Sequence, residues 1–187
     1  MSPPSFSAAS SAVLPRVTIF TVSQLTSVVV ACSDFRTMAN SCHIALVEVD
    51  RNTGLTEVLR YISSEDCGVL INPMIVEGQI AGGVIQGMGG VLFEHCVYDD
   101  DGNPLATTFM DYLLPSAPEI PIIEYGSIVT PAPTNPGGHK GAGEGGAIGS
   151  VPAIVNAIGD ALAPLGVTVT SQPLGPNDIF ELIHAND

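Results

Sequence analysis

The chain has 187 residues, 45% of them hydrophobic, and sets nineteen acidic side chains against five basic ones for a net charge of −14. That is the length of one ordinary domain, with enough apolar material to build a core. So few cations argue against nucleic acid as a partner, because phosphate contacts need Lys and Arg to displace counterions, and against an anionic membrane surface for the same reason.

In chain order, residues 1–12, "MSPPSFSAASSA", read as a disordered tail. The segment "VTIFTVSQLTSVVVA", residues 17–31, follows Arg16 and runs into Cys32. Its end loosely resembles a lipoprotein cleavage box, but Ser, Thr and Gln interrupt the apolar run and it is short for a membrane span. The expectation is a lead segment over residues 1–41, strand-forming or unstructured, distinct from a domain portion over residues 42–187. "HIALVEVDRNTGLTEVLRYISSED" then has the pattern of a strand, a turn at Asn52-Thr53-Gly54 and a second strand. Ile44, Leu46 and Val49 are expected to face Val58, Arg60 and Ile62 across a half-buried hairpin.

The period changes at "INPMIVEGQIAGGVIQGMGGVLFEHC". Asn72 suits an N-cap and Pro73 the first helical position, which predicts a helix over 73–96. Six glycines burden it, each costing about 0.5–1 kcal/mol relative to alanine. Gln79, Gly83, Gln86 and Gly90 fall on one face at spacings of four, three and four. Two readings of that face stand: a grip for a polar planar ligand, or close helix–helix packing through small residues. "YDDDGNPL" reads as a turn, "ATTFMDYLLP" as a strand, "PSAPEIP" as an extended crossing and "IIEYGSIVT" as another strand. Ser150 is a candidate cap for a helix through about Leu162, with Ile154, Ile158 and Ala161 inward. "GVTVTSQPL" reads as a short strand, and "GPNDIFELIHAND" as one or two closing helical turns. The fold class is α+β: a mixed β-sheet with a long Gly-rich helix and a shorter C-terminal helix packed on it.

Chemistry concentrates in "NPGGHKGAGEGGAIGS", residues 135–150, which holds Glu144 and the chain's only lysine, Lys140. Gly141, Gly143 and Gly146 satisfy GxGxxG, yet a dinucleotide fold needs that loop directly after a strand, and Glu144 would repel a pyrophosphate. Lys140 is followed by glycine, so no P-loop is present, and neither GxSxG nor HExxH occurs. The four cysteines, Cys32, Cys42, Cys67 and Cys96, form no CxxC pair or zinc pattern, and the histidines are scattered. Metal binding by protein side chains is therefore not expected. What remains is a carboxylate on a glycine-rich loop ahead of a helix. Partly shielded from water, it could serve as a general base; the plainer reading is a solvated loop acid.

"CGVLINPMIVEGQIAGGVIQGMG", "TTFMDYLLP", "NPGGHKGAGEGGAIGSVPAIVNAIGDAL" and "PLGPNDIFELI" together resemble the C-terminal part of the molybdenum hydroxylases, the large-subunit family of xanthine dehydrogenase, aldehyde oxidase and aerobic carbon monoxide dehydrogenase. The resemblance runs from about His43 to the end and looks closest to carbon monoxide dehydrogenase-like large subunits. It implies oxidation of an aldehyde, an N-heterocycle or CO with water as the oxygen source, at a molybdenum–pterin cofactor (molybdopterin or its cytosine dinucleotide form). The K-G-x-G-E motif of that family maps onto Lys140, Gly141, Gly143 and Glu144, and implies Glu144 as the catalytic base. The G-Q-x-x-G-G segment implies Gln79 as a cofactor contact, with Gln86 and Lys140 in support. Family subunits are several times longer than this chain, which carries neither a flavin domain nor an iron–sulfur cysteine motif. The expectation is a portion that needs another part of the large subunit, together with FAD-binding and 2Fe–2S partner subunits, in the cytoplasm. Other readings are an inactive fragment, a non-enzymatic binding module using the Gln79/Gln86 face and, more distantly, a nucleotide-binding module through Gly141–Gly146.

Overall fold

The computed structural model describes residues 16–23 and 38–185, the first stretch through its backbone alone. The tail expected over residues 1–12 and the cleavage-box reading at Cys32 lie outside the described residues. Within the lead segment, residues Arg16–Ser23 form a strand, β1. It heads a four-stranded sheet with β2 (Asn40–Asp50), β3 (Thr56–Asp66) and β4 (Ile123–Ser127) in the spatial order β1-β2-β3-β4. The first two pairings are antiparallel and β3–β4 is parallel, so the sheet is mixed. Helix α1 (Pro73–Leu92) lies in the crossover between the parallel strands; α2 (Gly145–Leu162) and α3 (Pro176–His184) follow β4. This is the expected α+β fold. Helix α2 lies across β1 and β2 and packs α1 against its other side.

The β2–β3 hairpin closes where the sequence predicts. Gly54 takes φ of +70°, and its amide donates to Asp50 O at 2.8 Å. Its inward face differs from the expected one. Buried positions on β2 are His43, Ala45, Val47 and Val49, whereas Ile44 and Leu46 are half-buried on the opposite face. On β3 the pairing jumps from Leu46↔Arg60 to Val47↔Val58, leaving Leu59 as an extra residue. This bulge changes which residues face inward: Val58 is buried before it, and Tyr61, Ser63 and Glu65 after it. Arg60 is exposed on the outer face and makes a two-pronged ion pair with Glu124 of β4.

Helix α1 begins as predicted. Asn72 is the N-cap, its side chain accepting from Ile75 N at 3.3 Å, and Pro73 opens the helix; the end is Leu92 rather than residue 96. Its face of glutamines and glycines divides. Gly83 is buried against α2, whereas Gln79 and Gln86 are exposed, so the close-packing reading holds for the glycine and not for the amides. A Cβ at Gly83 would stand 2.8 Å from Ala147 N, and one at Gly146 would stand 2.3 Å from Ile80 O. The two helices therefore touch backbone to backbone. Alanine at Gly146 is expected to cost about 2 kcal/mol despite its better helix propensity, because the atom it meets is main chain and cannot swing aside. Alanine at Gly82, where a Cβ meets nothing within 4 Å, should instead gain about 0.5–1 kcal/mol. Urea midpoints of the two variants, moving in opposite directions at unchanged slope, check this.

Three further expectations are corrected. Ser150 is not a cap: α2 starts six residues earlier, after Glu144, because Gly146 and Gly149 let its first turns settle onto α1 and His43. Pro152 consequently lies inside α2, where it cannot donate to the Ile148 carbonyl. "ATTFMDYLLP" forms turns rather than a strand, its side chains largely exposed. "GVTVTSQPL" is likewise irregular, fastened through Leu174 N to Val91 O at 2.7 Å. The stretch Gly145–Leu165 is long and apolar enough to cross a membrane by length and composition, but here it is the inner helix, buried on α1 and the sheet.

Candidate functional site

The last two residues of β3, Glu65 and Asp66, organise the glycine loop that carries Glu144. Asp66 meets Lys140, whose Nζ lies 2.9 Å from Asp66 Oδ2, with both side chains almost fully buried. The other carboxylate oxygen of Asp66 accepts from Gly68 N at 3.0 Å and Thr130 N at 3.1 Å. Burial alone would raise the pKa of Asp66; the hydrogen bonds from Lys140, Gly68 and Thr130 outweigh it and hold the group well below the usual carboxylate range. The backbone of Lys140 donates to Cys67 O at 2.9 Å, and His139 Nδ1 lies 2.7 Å from Val69 O. The loop thus leaves the sheet end firmly stitched to residues 66–69. The one lysine of the chain meets its negative partner within the chain.

Beyond Lys140 the loop opens. Gly141 and Gly143 are exposed, and a Cβ at either would touch nothing within 4 Å. Glu144 is the N-cap residue of α2 by position, but its carboxylate caps no backbone N–H. It is exposed, as the solvated-acid reading has it and not partly shielded, and it stands on the rim of a cleft of about 350 Å³. Met38, Ser41, Glu65 and Ile148 line the remainder with the loop Gly141–Gly145. Gln79 and Gln86 lie on the outward side of α1, with the open positions Gly78 and Gly82 between and beside them. None of the two glutamines, Gly141, Gly143 or Glu144 is spent on the core, whereas Lys140 is committed to Asp66.

Under the loop lies a polar cluster that the sequence reading does not include. His43 and Glu65 are each 1% exposed, and Tyr61 and Ser63 are fully buried. His43 Nδ1 lies 2.7 Å from Tyr61 Oη; His43 Nε2 comes within 3.0 Å of Glu65 Oε1 without hydrogen-bond alignment; Ser63 Oγ donates to Glu65 Oε1 at 2.9 Å. Burial, and then the nearby Glu65 charge, push the Tyr61 phenol well above its ordinary pKa, so it stays protonated. Two glycines of α2 make room for this cluster: a Cβ at Gly149 would strike the His43 ring at 2.1 Å, and one at Gly145 would stand 2.8 Å from Glu65 Oε2. The signal that could have found these residues is the run of polar side chains in "YISSED", unusual for a strand with an inward face. Among the described residues no group of three His, Cys, Asp or Glu is arranged to hold a metal ion. Cys67 is buried, Cys42 half-buried and Cys96 exposed, all three free.

The model of the molybdopterin cofactor-binding domain family matches residues 17–121, more than half of the chain, and the chain belongs to that family. It is 45% identical over 141 residues to the nicotine 6-hydroxylase large subunit of Paenarthrobacter nicotinovorans, covering 75% of this chain and 17% of that subunit. It is 44% identical over 131 residues to the carbon monoxide dehydrogenase large chain of Hydrogenophaga pseudoflava, covering 70% of this chain and 16% of that one. Among solved structures, quinoline 2-oxidoreductase from Pseudomonas putida 86 superposes with a TM-score of 0.76 at 47% identity, covering 78% of this chain and 18% of the other. The chain therefore spans less than a fifth of the length of the relatives it matches.

Proposed function

We propose that this chain supplies the base-bearing wall of a molybdenum hydroxylase active site, with Glu144 as general base in the oxidation of an aldehyde, an N-heterocycle or CO, water being the oxygen source. The observation that supports this most is the position of Glu144: an exposed carboxylate, with no capping duty, at the rim of a cleft beside two open glycines. The residues present suit a molybdenum–pterin group, as molybdopterin or its cytosine dinucleotide form. Gln79 and Gln86 offer exposed amides, and a bulky partner could come close to the backbone at Gly78, Gly82, Gly141 and Gly143 without meeting a side chain. Bound there, the cofactor would supply the redox centre that takes up the electrons lost by the substrate.

The other steps fall to side chains of this chain. Gln79 and Gln86 orient the cofactor by hydrogen bonds; Lys140 holds the loop in place through Asp66, with Gly141 and Gly143 giving it a low profile. Glu144 takes onto its carboxylate the proton of the water-derived hydroxyl that attacks the substrate carbon. The partners of this reading are the remaining portion of a large subunit and, for electron transfer, FAD-binding and 2Fe–2S subunits, in the cytoplasm. The apolar side chains Ile71, Met74, Phe109, Met110 and Ile122, each at least 75% exposed, are the kind of surface such a remainder would cover.

The same exposure favours a second reading, a residual fold that holds no cofactor on its own. Metal and pterin analysis separates the two. Molybdenum near one equivalent is expected when the chain is co-expressed with a polypeptide carrying the rest of a large subunit. Its absence from that preparation as well as from the chain alone would leave the inactive fragment as the reading.

A further inference from the structure

Glu65 is an uneconomical residue if it serves only stability. It is a carboxylate, 1% exposed, and its Oε2 has no hydrogen-bond partner. A buried acceptor left unmatched weakens a fold, and a charged one does so more. Its other oxygen is well served by Ser63, with His43 close by, so the vacancy is confined to one atom. That atom faces the backbone of Gly145, the residue after Glu144, and Glu65 and Glu144 line one cleft.

We propose that Glu65 is the second acid–base group of this cleft, and that its Oε2 receives the proton Glu144 has accepted. The O–H bond on Glu144 breaks and an O–H bond on Glu65 Oε2 forms; Glu144 returns to the carboxylate and nothing is oxidised or reduced. Ser63 continues to donate to Oε1 whether or not Oε2 carries the proton. His43 sits where it can share that charge, with Tyr61 as its further partner. The charged and titratable groups around Glu65 are His43 from β2, Tyr61, Asp66 and Cys67 from β3 and its end, Tyr125 from β4, Lys140 from the loop and Glu144 from the start of α2. Of these, Lys140 is bound to Asp66, and the phenols of Tyr61 and Tyr125 are pushed up by burial first and by Glu65 as well, which leaves Glu144 and His43 to exchange protons with it.

The inference rests on Glu144 being the base, and its test stands apart from turnover. The chain contains nine glutamates, few enough for their carboxyl carbons to be followed individually by NMR in a glutamate-labelled sample. The resonance removed by Glu65→Gln is expected to titrate in two steps, as coupled sites do, and to lose one of them in Glu144→Gln. If Glu65→Gln does not fold, Glu65→Asp removes the same glutamate resonance while keeping a carboxylate, and assigns it equally. A single step at Glu65, identical with and without the Glu144 carboxylate, would overturn the proton exchange. It would do so even where Glu144→Gln had abolished turnover in the assembled enzyme, so the two ideas fail separately.

Discussion

Glutamine at position 144 is expected to leave the molybdenum content of the assembled enzyme unchanged and to lower kcat by about a thousandfold, the scale set by removing a positioned general base. The substitution keeps size and polarity and removes only the ability to accept a proton. Little else should change in the fold, because the Glu144 side chain is exposed and caps no backbone N–H of α2. KM should move little, since a base that acts on a developing proton contributes to the transition state and not to substrate binding. Steady-state kinetics with metal analysis of the same preparation check it. A Glu144→Gln enzyme that kept molybdenum and turned over within tenfold of wild type would remove Glu144 from the base role.

Methionine at Lys140 carries the second large effect, and it falls on stability. The Lys140–Asp66 pair is almost fully buried, and cutting one member out of such a pair costs about 3–5 kcal/mol, because the other charge is left unmatched. Asp66→Asn should cost a similar amount. The double variant should be less damaged than the sum of the two, since each single change already removes the pair. Acid dependence follows from the same contact. The folded-state pKa of Asp66 lies below its unfolded value, so its contribution is fully present above about pH 4 and is lost as pH falls from there. Denaturation midpoints of wild type should therefore decline on the acid side more steeply than those of Lys140→Met, in which Asp66 has lost its main partner. Parallel acid limbs would mean that the pair does not hold the loop.

How much of this was legible in the sequence depended on whether local chemistry or long-range fit decided the outcome. The start of α1 was legible because Asn72 and Pro73 settle it within four residues, and the hairpin turn because Gly54 can take φ of +70°. The start of α2 was not. Gly145, Gly146 and Gly149 are poor helix formers, and only their fit beneath Ile80, His43 and Glu65 explains a helix there. The two missing strands failed for the complementary reason: β-prone residues in "GVTVT" and "ATTFMDY" pair with no strand of the sheet, and propensity without a ladder does not make a strand. At the site, the loop and Glu144 could be marked from composition and resemblance. Asp66 as the anchor of Lys140, and the His43–Glu65 cluster, could not, because both depend on residues more than twenty positions apart meeting at one end of the sheet.

The extra residue at Leu59 makes the polar cluster depend on where the ladder takes up one surplus residue. Along a strand, odd and even positions look to opposite sides, and one added residue exchanges the two sets for everything downstream. Tyr61, Ser63 and Glu65 occupy the interior because the bulge takes up the one residue by which β3 exceeds its partner over this stretch. Removing Leu59, an exposed side chain that fills no space in the core, would leave Val58 opposite Val47 and Arg60 opposite Leu46 in an unbroken ladder, with the acid, the phenol and the serine still inward. One further residue between Arg60 and Tyr61 would instead offer Ile62 and Ser64 to the interior. In this strand the count of residues between Arg60 and Glu65, as much as their kind, decides which groups reach the cleft, so natural variation here should admit the loss of Leu59 more readily than a residue added after Arg60.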